Sequence, residues 1–170
     1  MSIIEPIDES YEYQYIGGIN NLYAFKTDGE ISYEIKFVPS GYIFPEGHPA
    51  QDYTYEFVIG VVENNTGKNL PLDKKIPQTI AFIFQDFFKE HRNVGIYICD
   101  SSDDKQAIRF RKFNMWFKFF KGMSYYKFDA TFKDKDDIIY TSLIMRFDNP
   151  NYKVVVDGYL QITQEAGQDK

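Results

Sequence analysis

The sequence is poor in the residues that most readily mark an enzyme. Its 170 residues include one cysteine, two histidines and one tryptophan. Cys99 has no second cysteine with which to form an internal disulfide, and two histidines exclude a zinc site built from three of them. The Gly-x-Ser-x-Gly, P-loop and dinucleotide-binding patterns are also missing. We therefore expect no cofactor, and these residues identify no reaction.

Long hydrophobic runs and an excess of positive charge are lacking as well. No stretch approaches the roughly 18 apolar residues that a membrane-spanning helix needs. Residues 1–6 lack the basic start and apolar stretch of an export signal. The 19 Lys and Arg against 25 Asp and Glu give a net charge of −6, which repels the phosphate backbone of nucleic acids. With its single thiol, the chain is expected in the cytoplasm, with neither nucleic acid nor a membrane as partner.

What the sequence does contain is typical of a globular protein with an aromatic core. Hydrophobic residues make up 44% of the chain and charged residues 26%, which places it among folded and not disordered proteins. The 16 Phe and 14 Tyr bring large ring surfaces that favour burial. A length of 170 residues fits one hydrophobic core. We predict a single domain over residues 1–170, frayed at 1–10 and 164–170.

Alternation of polar and apolar residues marks most of the strands. Asp28-Gly29 lies between two alternating segments and predicts a β-hairpin, because this dipeptide favours tight turns. Residues 39–52 hold three prolines and two glycines and predict a long loop, which could act as a lid. Residues 94–99 are almost continuously apolar, as expected of a central strand covered on both faces. The predicted strands are 22–27, 30–38, 53–63, 94–99, 125–133, 138–147 and 152–163.

Two segments show the three- and four-residue spacing of amphipathic helices. The first begins at Pro77, a residue favoured in the first turn, and continues to about Arg92. The second runs from about Asp103 to Lys121 and ends at Gly122, since glycine readily adopts the left-handed conformation that closes a helix. The order of elements predicts an α+β fold, with a largely antiparallel sheet of about seven or eight strands and two helices packed on it. A doubly wound fold is not expected.

The most suggestive chemistry lies where the central strand meets the second helix. Asp100 and Asp103 follow the strand, and two such carboxylates could hold Mg²⁺, which prefers oxygen ligands. The favoured interpretation is structural, because acidic residues cap helix N-termini and offset the helix dipole. Arg109 and Arg111 follow on the helix. Together the four residues define an alternative function, a small metal-dependent hydrolase or nucleic-acid-processing enzyme.

The second helix carries large apolar residues on two faces. One face comprises Phe110, Phe113, Trp116, Phe117 and Phe120. The opposite side is a candidate interaction surface made of Ile108, Lys112, Met115 and Phe119. The rest of the domain could cover this second surface, or a protein partner or a second copy of the chain could do so. Stacking of single-stranded nucleic acid there is disfavoured by the acidic charge of the chain.

The remaining polar candidates have simple structural interpretations. Arg109 is close enough in helical angle to stack on the Trp116 ring. His48 lies in the long loop, where a solvent-exposed role is favoured over a metal site shared with Glu46. His91 ends the first helix, where the dipole favours positive charge. No recognisable pattern connects a histidine to Cys99, so a buried apolar role is favoured over a nucleophilic one.

Three segments form a recognisable combination. They are the strand and helix from Tyr97 to Phe117, the strand end from Ser142 to Pro150, and the hairpin residues from Phe25 to Gly29. The combination resembles an uncharacterised family of small proteins from Bacteroidetes-type bacteria. The resemblance implies a bacterial, cytosolic origin and a shared α+β fold. Because the family has no assigned activity, the resemblance assigns no catalytic residue.

The interpretation that the sequence favours is a non-enzymatic cytosolic protein-interaction module or accessory subunit. The two apolar faces of the second helix favour it, and so does the lack of catalytic patterns. The expected partner is another protein or a second copy of the chain, which would make a homodimer. The metal-dependent enzyme centred on Asp100 and Asp103 stays open as the alternative.

Overall fold

One sheet of seven strands, with three helices, makes up the part of the chain that the structure describes. The structure is a computed structural model and describes residues 10–69, 72–100, 102–118 and 124–166. The strands are β1 Tyr13–Gly17, β2 Leu22–Lys26, β3 Ile31–Pro39, β4 Thr54–Asn64, β5 Val94–Cys99, β6 Tyr125–Asp134 and β7 Asp137–Arg146. The helices are α1 Lys75–Phe87, α2 Gln106–Phe117 and α3 Tyr152–Ala166. Within these ranges no helix has the length and apolar character needed to cross a membrane.

Five of the six strand pairs in the sheet are antiparallel. The strands lie in the order β1-β2-β3-β4-β5-β7-β6. Only β4 and β5 run parallel, and the chain passes from one to the other through α1. The predicted α+β fold with a largely antiparallel sheet is confirmed. The number of helices was wrong, because the described residues form three and not two.

The β2–β3 hairpin follows directly from the alternating sequence. Every second residue of β3 from Ile31 to Phe37 is buried, and the residues between them are not. Phe25 of β2 lies opposite Tyr33, and the centroids of their stacked rings are 5.0 Å apart. The hairpin predicted around Asp28-Gly29 is confirmed, and one face of β3 belongs to the core.

Helix α1 covers that face of the sheet with aromatic side chains. Eight of its thirteen residues are buried, and Phe87 stacks on Phe37 with ring centroids 3.7 Å apart. The helix was predicted to run from Pro77 to Arg92, and these bounds are wrong. It begins at Lys75, whose backbone N–H donates to the Asp73 carboxylate at 2.9 Å, and the chain turns after Phe87.

The predicted strand at 152–163 is wrong, because this segment is helix α3. Val155 and Tyr159, four residues apart, are its buried residues. The valines at 154–156 favour a strand when only local preference is considered, but packing on the sheet overrides that preference. The turn before the helix also contributes, since the Asn149 side chain accepts a hydrogen bond from the backbone N–H of Asn151 at 2.8 Å.

Helix α3 and the long loop together cover the second face of the sheet. The loop contains two short 3₁₀ turns, Gly41–Ile43 and Gln51–Tyr53. Its Phe44 is buried in one core cluster with Val155 and Tyr159. The loop predicted at 39–52 therefore contributes to the core, and its role as a lid stays a prediction.

Strand β5 is the covered centre of the sheet, as predicted. It lies between β4 and β7, and Cys99 at its end is fully buried. Helices α1 and α2 contribute Phe84 and Phe113 to the core on one face. Helix α3 contributes Tyr159 to the core on the other. Cys99 is thus the buried apolar residue that the sequence predicted.

Helix α2 starts later than the helix predicted from Asp103 to Lys121. It begins at Gln106, after a turn in which Asp104 has a φ of +56°. Its predicted end at Gly122 lies outside the described residues, as do Phe119 and Phe120. Residues 1–9 and 167–170, where fraying was predicted, also lie outside them. Residues 164–166, also predicted to fray, are the last turn of α3.

Candidate functional site

The sheet opens between its two parallel strands. β4 and β5 pair at three positions only, Thr54 with Val94, Tyr55 with Gly95 and Glu56 with Ile96. Both strands continue past this point, β4 to Asn64 and β5 to Cys99, without pairing to each other. Ligands of proteins with parallel strands commonly bind at the carboxyl ends of the strands, where such openings form. The opening is therefore a candidate ligand site.

Helix α2 lies beside this opening, and a cleft of about 180 Å³ separates it from the sheet. We call it the α2 cleft. Strands β3, β4 and β5 contribute Tyr33, Ile59 and Tyr97 to its walls, and α2 contributes Phe113 and Trp116. Two cations of α2, Arg109 and Lys112, complete it. The cleft combines aromatic and apolar walls with positive charge on one side.

The wall formed by β5 is aromatic and neutral. The Tyr97 ring stacks on Phe57 with centroids 5.0 Å apart and lies 4.6 Å from the Phe113 ring. Tyr97 and Cys99 lie two residues apart on β5, so their side chains are on the same face of the strand. Burial raises the pKa of both groups, so neither is ionised at neutral pH. Cys99 is therefore a poor nucleophile in this state.

Lys112 and not Arg109 covers the Trp116 ring, so the predicted stacking of Arg109 on Trp116 is wrong. The Lys112 ammonium lies 4.9 Å from the ring centroid. Positions four apart on a helix are neighbours, which places Lys112 directly beside Trp116. Although Lys112 as a whole is exposed, partial loss of water around its ammonium lowers its pKa.

Arg109 is held instead by the two aspartates that the sequence singled out. Its Nη1 lies 2.8 Å from a carboxylate oxygen of Asp103, and its Nη2 donates to the backbone carbonyl of Asp100 at 2.8 Å. The Asp100 carboxylate accepts hydrogen bonds from the hydroxyl and the N–H of Ser102, which together with Arg109 lower its pKa. The Asp103 carboxylate also accepts from the N–H of Lys105 at 3.1 Å. These groups order the turn that leads into α2.

In this turn the carboxylates that could bind a metal ion already have other partners. A divalent cation at Asp100 and Asp103 would have to compete with the guanidinium of Arg109. Across the described ranges, no group of three or more His, Cys, Asp or Glu residues is arranged to hold a metal. Arg111, the fourth residue of the predicted enzymatic site, is exposed on α2 and does not line the cleft.

The predicted interaction surface is exposed where the structure describes it. Ile108 and Met115 leave 57% and 56% of their surface in solvent, and Lys112 is exposed between them. Phe119, the fourth residue of that surface, lies outside the described residues. Of the twelve residues of α2 only Phe113 is buried, whereas α1 buries eight. The described part of the domain thus leaves Ile108 and Met115 uncovered.

Glu56 is a residue of the opening that the sequence analysis missed. It is the last residue of β4 that pairs with β5, and it is half-buried. Burial raises the pKa of Glu56, and the nearby charge of Asp100 raises it further. The protonated, neutral form of Glu56 is therefore favoured relative to that of an exposed carboxyl group. The signal in the sequence was a carboxylate between two aromatic residues, Tyr55 and Phe57, near the start of β4.

The two histidines lie elsewhere and have packing roles. The His48 ring stacks on Phe44 with centroids 4.3 Å apart, and its Nδ1 accepts a hydrogen bond from the Ala50 N–H at 3.1 Å. His91 lies beyond the end of α1, and its Nδ1 is 3.1 Å from the Asp148 carboxylate. His48 is half-buried and not freely exposed as predicted. Neither histidine lines the α2 cleft.

Comparison with known proteins gives a family but no activity. No match was found among curated proteins. One solved structure, of a CoA-dependent acyl-homoserine lactone synthase, MesI, is similar over 99% of this chain and 78% of that one, with 12% sequence identity and a TM-score of 0.37. A likeness this weak bears on neither fold nor function.

A family model described as a family of unknown function (DUF6169) matches residues 72–161, a little over half of the chain, from before α1 into α3. The chain belongs to this family of unknown function.

Proposed function

We propose that the protein is a non-enzymatic interaction module or accessory subunit and that the outer surface of α2 contacts another protein. That surface consists of Ile108, Lys112 and Met115, with Phe119 added from the sequence. The observation that carries the proposal is the poor burial of α2, which has only Phe113 in the core. A bacterial, cytoplasmic setting belongs to the same proposal and is supported by the single buried thiol, Cys99.

The energetics of α2 support a missing contact. A helix of twelve residues is marginal alone and depends on packing for its stability. Burying a side chain such as Ile or Met fully stabilises a fold or complex by roughly 1.5 to 3 kcal/mol. Ile108 and Met115 contribute little of this in the described chain, because more than half of each is exposed. A partner that covers both side chains would add this stabilisation to the complex.

A second copy of the chain is the partner that we propose first. Ile108 and Met115 lie two turns apart on α2, so a twofold axis between them brings Ile108 of each copy onto Met115 of the other. In that antiparallel arrangement the acidic turn before one helix, at Asp103 and Asp104, approaches Lys118 just after the end of the other. Arg111 lies near the axis and opposes its own copy, so we expect weak association.

The mass of the protein in solution tests this proposal. We expect light scattering after size exclusion to show a dimer whose fraction increases with protein concentration. Met115→Glu places a charge in the contact while keeping a good helix former, and it should give a monomer. Ile19→Glu is the matched control, because Ile19 is an apolar side chain 83% exposed in another part of the fold. A monomer at every concentration, or dimers of both variants alike, would overturn the proposed contact.

The alternative function, a metal-dependent hydrolase or nucleic-acid-processing enzyme at Asp100, Asp103, Arg109 and Arg111, has less support. The carboxylates bind Arg109 and nearby backbone N–H groups. Arg111 does not join them in the cleft. The acidic net charge of −6 also opposes nucleic acid as a substrate.

A further inference from the structure

The α2 cleft has the size to hold part of a small molecule. Its volume of about 180 Å³ corresponds to about six water molecules at roughly 30 Å³ each. This is room for a short acyl chain or a single ring, and it is well below the volume of sites for drug-sized ligands. The rings of Tyr97, Phe113 and Trp116 provide apolar walls for such a group.

The two cations of the cleft differ in how far their charge is compensated. Arg109 already binds Asp103 at 2.8 Å and lies 3.6 Å from the Asp100 carboxylate. Among the described residues no carboxylate pairs with Lys112, whose neighbour is the Trp116 ring. An opposite charge within about 4 to 6 Å stabilises a cation. Lys112 is thus the group in the cleft that an anion would stabilise.

Beside the cleft, the described parts of β4 and β5 do not pair with each other. Past Glu56, β4 has β3 as its neighbour on one side and, within the described ranges, no strand on the side of β5. Past Ile96, β5 pairs with β7 alone. Backbone N–H and C=O groups of covered strands normally have partners. A polar ligand group that enters the opening would find hydrogen-bonding groups of both kinds there.

We propose that the α2 cleft binds a small organic anion, a carboxylate carried on a short acyl or single-ring body. The body lies against Tyr97, Phe113 and Trp116, and the carboxylate lies at Lys112. This site shares Lys112 with the proposed protein contact, but Ile108 and Met115 are not among the walls of the cleft. Variants at Ile108 or Met115 therefore test the protein contact, and ligand binding by the monomer tests the cleft.

The single tryptophan of the chain makes binding directly measurable, because Trp116 forms a wall of the cleft. The probes are hexanoate, hexanamide, which has the same body without the charge, and inorganic phosphate, which has charge without the body. We expect hexanoate to change the Trp116 fluorescence to saturation. Hexanamide and phosphate should each bind at least about tenfold more weakly. Ligand-observed NMR with the unlabelled protein is the second readout, in case the emission responds weakly.

Variants then assign the site. Lys112→Met keeps most of the length of the side chain and removes its charge, and should weaken hexanoate binding at least about tenfold. Lys118→Met is the matched control, because Lys118 follows α2 and does not line the cleft. This variant should bind hexanoate with the affinity of the unmodified protein. Met115→Ser, which alters the protein contact without placing a charge beside Lys112, should also bind hexanoate normally. No saturable binding of hexanoate by either readout, equal binding of hexanamide, or normal binding by Lys112→Met would overturn the proposal.

Discussion

The ammonium of Lys112 lies 4.9 Å from the centre of the Trp116 ring, one turn further along α2. This contact holds the only tryptophan of the chain at the wall of the α2 cleft. Trp116 packs against the core cluster but keeps part of its surface open, whereas its neighbour Phe113 is 1% exposed. The two aromatic residues of one helix thus have different roles, one in the cleft and one in the core.

Trp116→Ala should therefore cost less stability than Phe113→Ala. Removing a fully buried ring costs about 3 to 5 kcal/mol, and we expect about 1 to 2 kcal/mol for the partly buried indole. Urea unfolding followed by circular dichroism compares the two, since Trp116→Ala removes the fluorophore. Met115→Ala, at an exposed position, is the control and should change the free energy of unfolding by less than about 0.5 kcal/mol. Equal losses for Trp116→Ala and Phe113→Ala would place the indole in the core.

The burial of Tyr159 predicts a loss of stability at high pH. Tyr159 is 2% exposed, and burial raises its pKa to about 12, from an ordinary 10.0. Between these values the unfolded chain has lost the phenol proton and the folded chain keeps it. The free energy of unfolding therefore falls as pH rises from 10 to 12, by at most about 2.7 kcal/mol for this group. Thermal melts at a series of pH values measure the decline.

Tyr159→Phe isolates this contribution, because it keeps the ring and removes the proton. The decline above pH 10 should become shallower but not vanish, since burial also raises the pKa of Tyr23 and Tyr125 to about 12. Tyr42→Phe is the matched control, with a side chain that is 78% exposed, and should follow the unmodified protein. Identical declines for the two variants would contradict the burial of the Tyr159 hydroxyl.

Mg²⁺ should not bind at Asp100 and Asp103. Arg109 already satisfies these carboxylates, and a metal ion would have to displace it. Isothermal titration calorimetry of the full chain with MgCl₂ should give no saturable heat. A saturable signal that Asp100→Ala abolishes and Asp136→Ala preserves would instead favour the metal-dependent enzyme. Asp136 is a suitable control because it is an exposed aspartate in the β6–β7 turn.

Asn149 should be more important to stability than other asparagines in turns. It is 4% exposed, and its amide donates to the backbone carbonyls of Arg92 and Asn93 at 3.2 and 3.3 Å. Its own carbonyl accepts from the N–H of Asn151 at the start of α3. Asn149→Ala should lower the free energy of unfolding by about 2 to 3 kcal/mol, since it leaves buried carbonyls without donors. Urea unfolding should show no comparable loss for Asn65→Ala, at an exposed turn; equal losses would contradict the role of Asn149.

The sequence predicts those elements whose patterns are local. The Asp28-Gly29 hairpin and the alternation in β3 need only neighbouring residues, and both were correct. Helix α3 was missed because the valines at 154–156 favour a strand locally, while its burial against β6 depends on residues far away in the chain. The contact of Lys112 with Trp116 was missed for a related reason. Asp103 binds Arg109, which was expected to stack on the ring.

The candidate site was less predictable than the fold. The α2 cleft combines Tyr33, Ile59, Tyr97 and Trp116, which come from three strands and a helix. No periodicity in the sequence predicts that these segments meet. They meet because β4 and β5 are neighbours in the sheet, and the order of strands in a sheet cannot be read from local patterns. Lys112 was identified as a surface residue, but its part in the cleft depends on the fold. For Ile108 and Met115 the sequence left two outcomes open, burial by the rest of the domain or exposure to a partner, and the structure shows that both are exposed.

The place of β7 between β5 and β6 constrains how the sheet is completed during synthesis on the ribosome. Strand β6 precedes β7 in the chain but lies at the edge of the sheet, where β7 is its one neighbour. As the chain emerges, residues 125–134 have no strand to join until residues 137–146 have followed them. The two strands, joined by a turn of two residues at 135 and 136, therefore add to β5 together as one hairpin. Residues 125–146 are thus added to the sheet in a single step, after β5 has been synthesised.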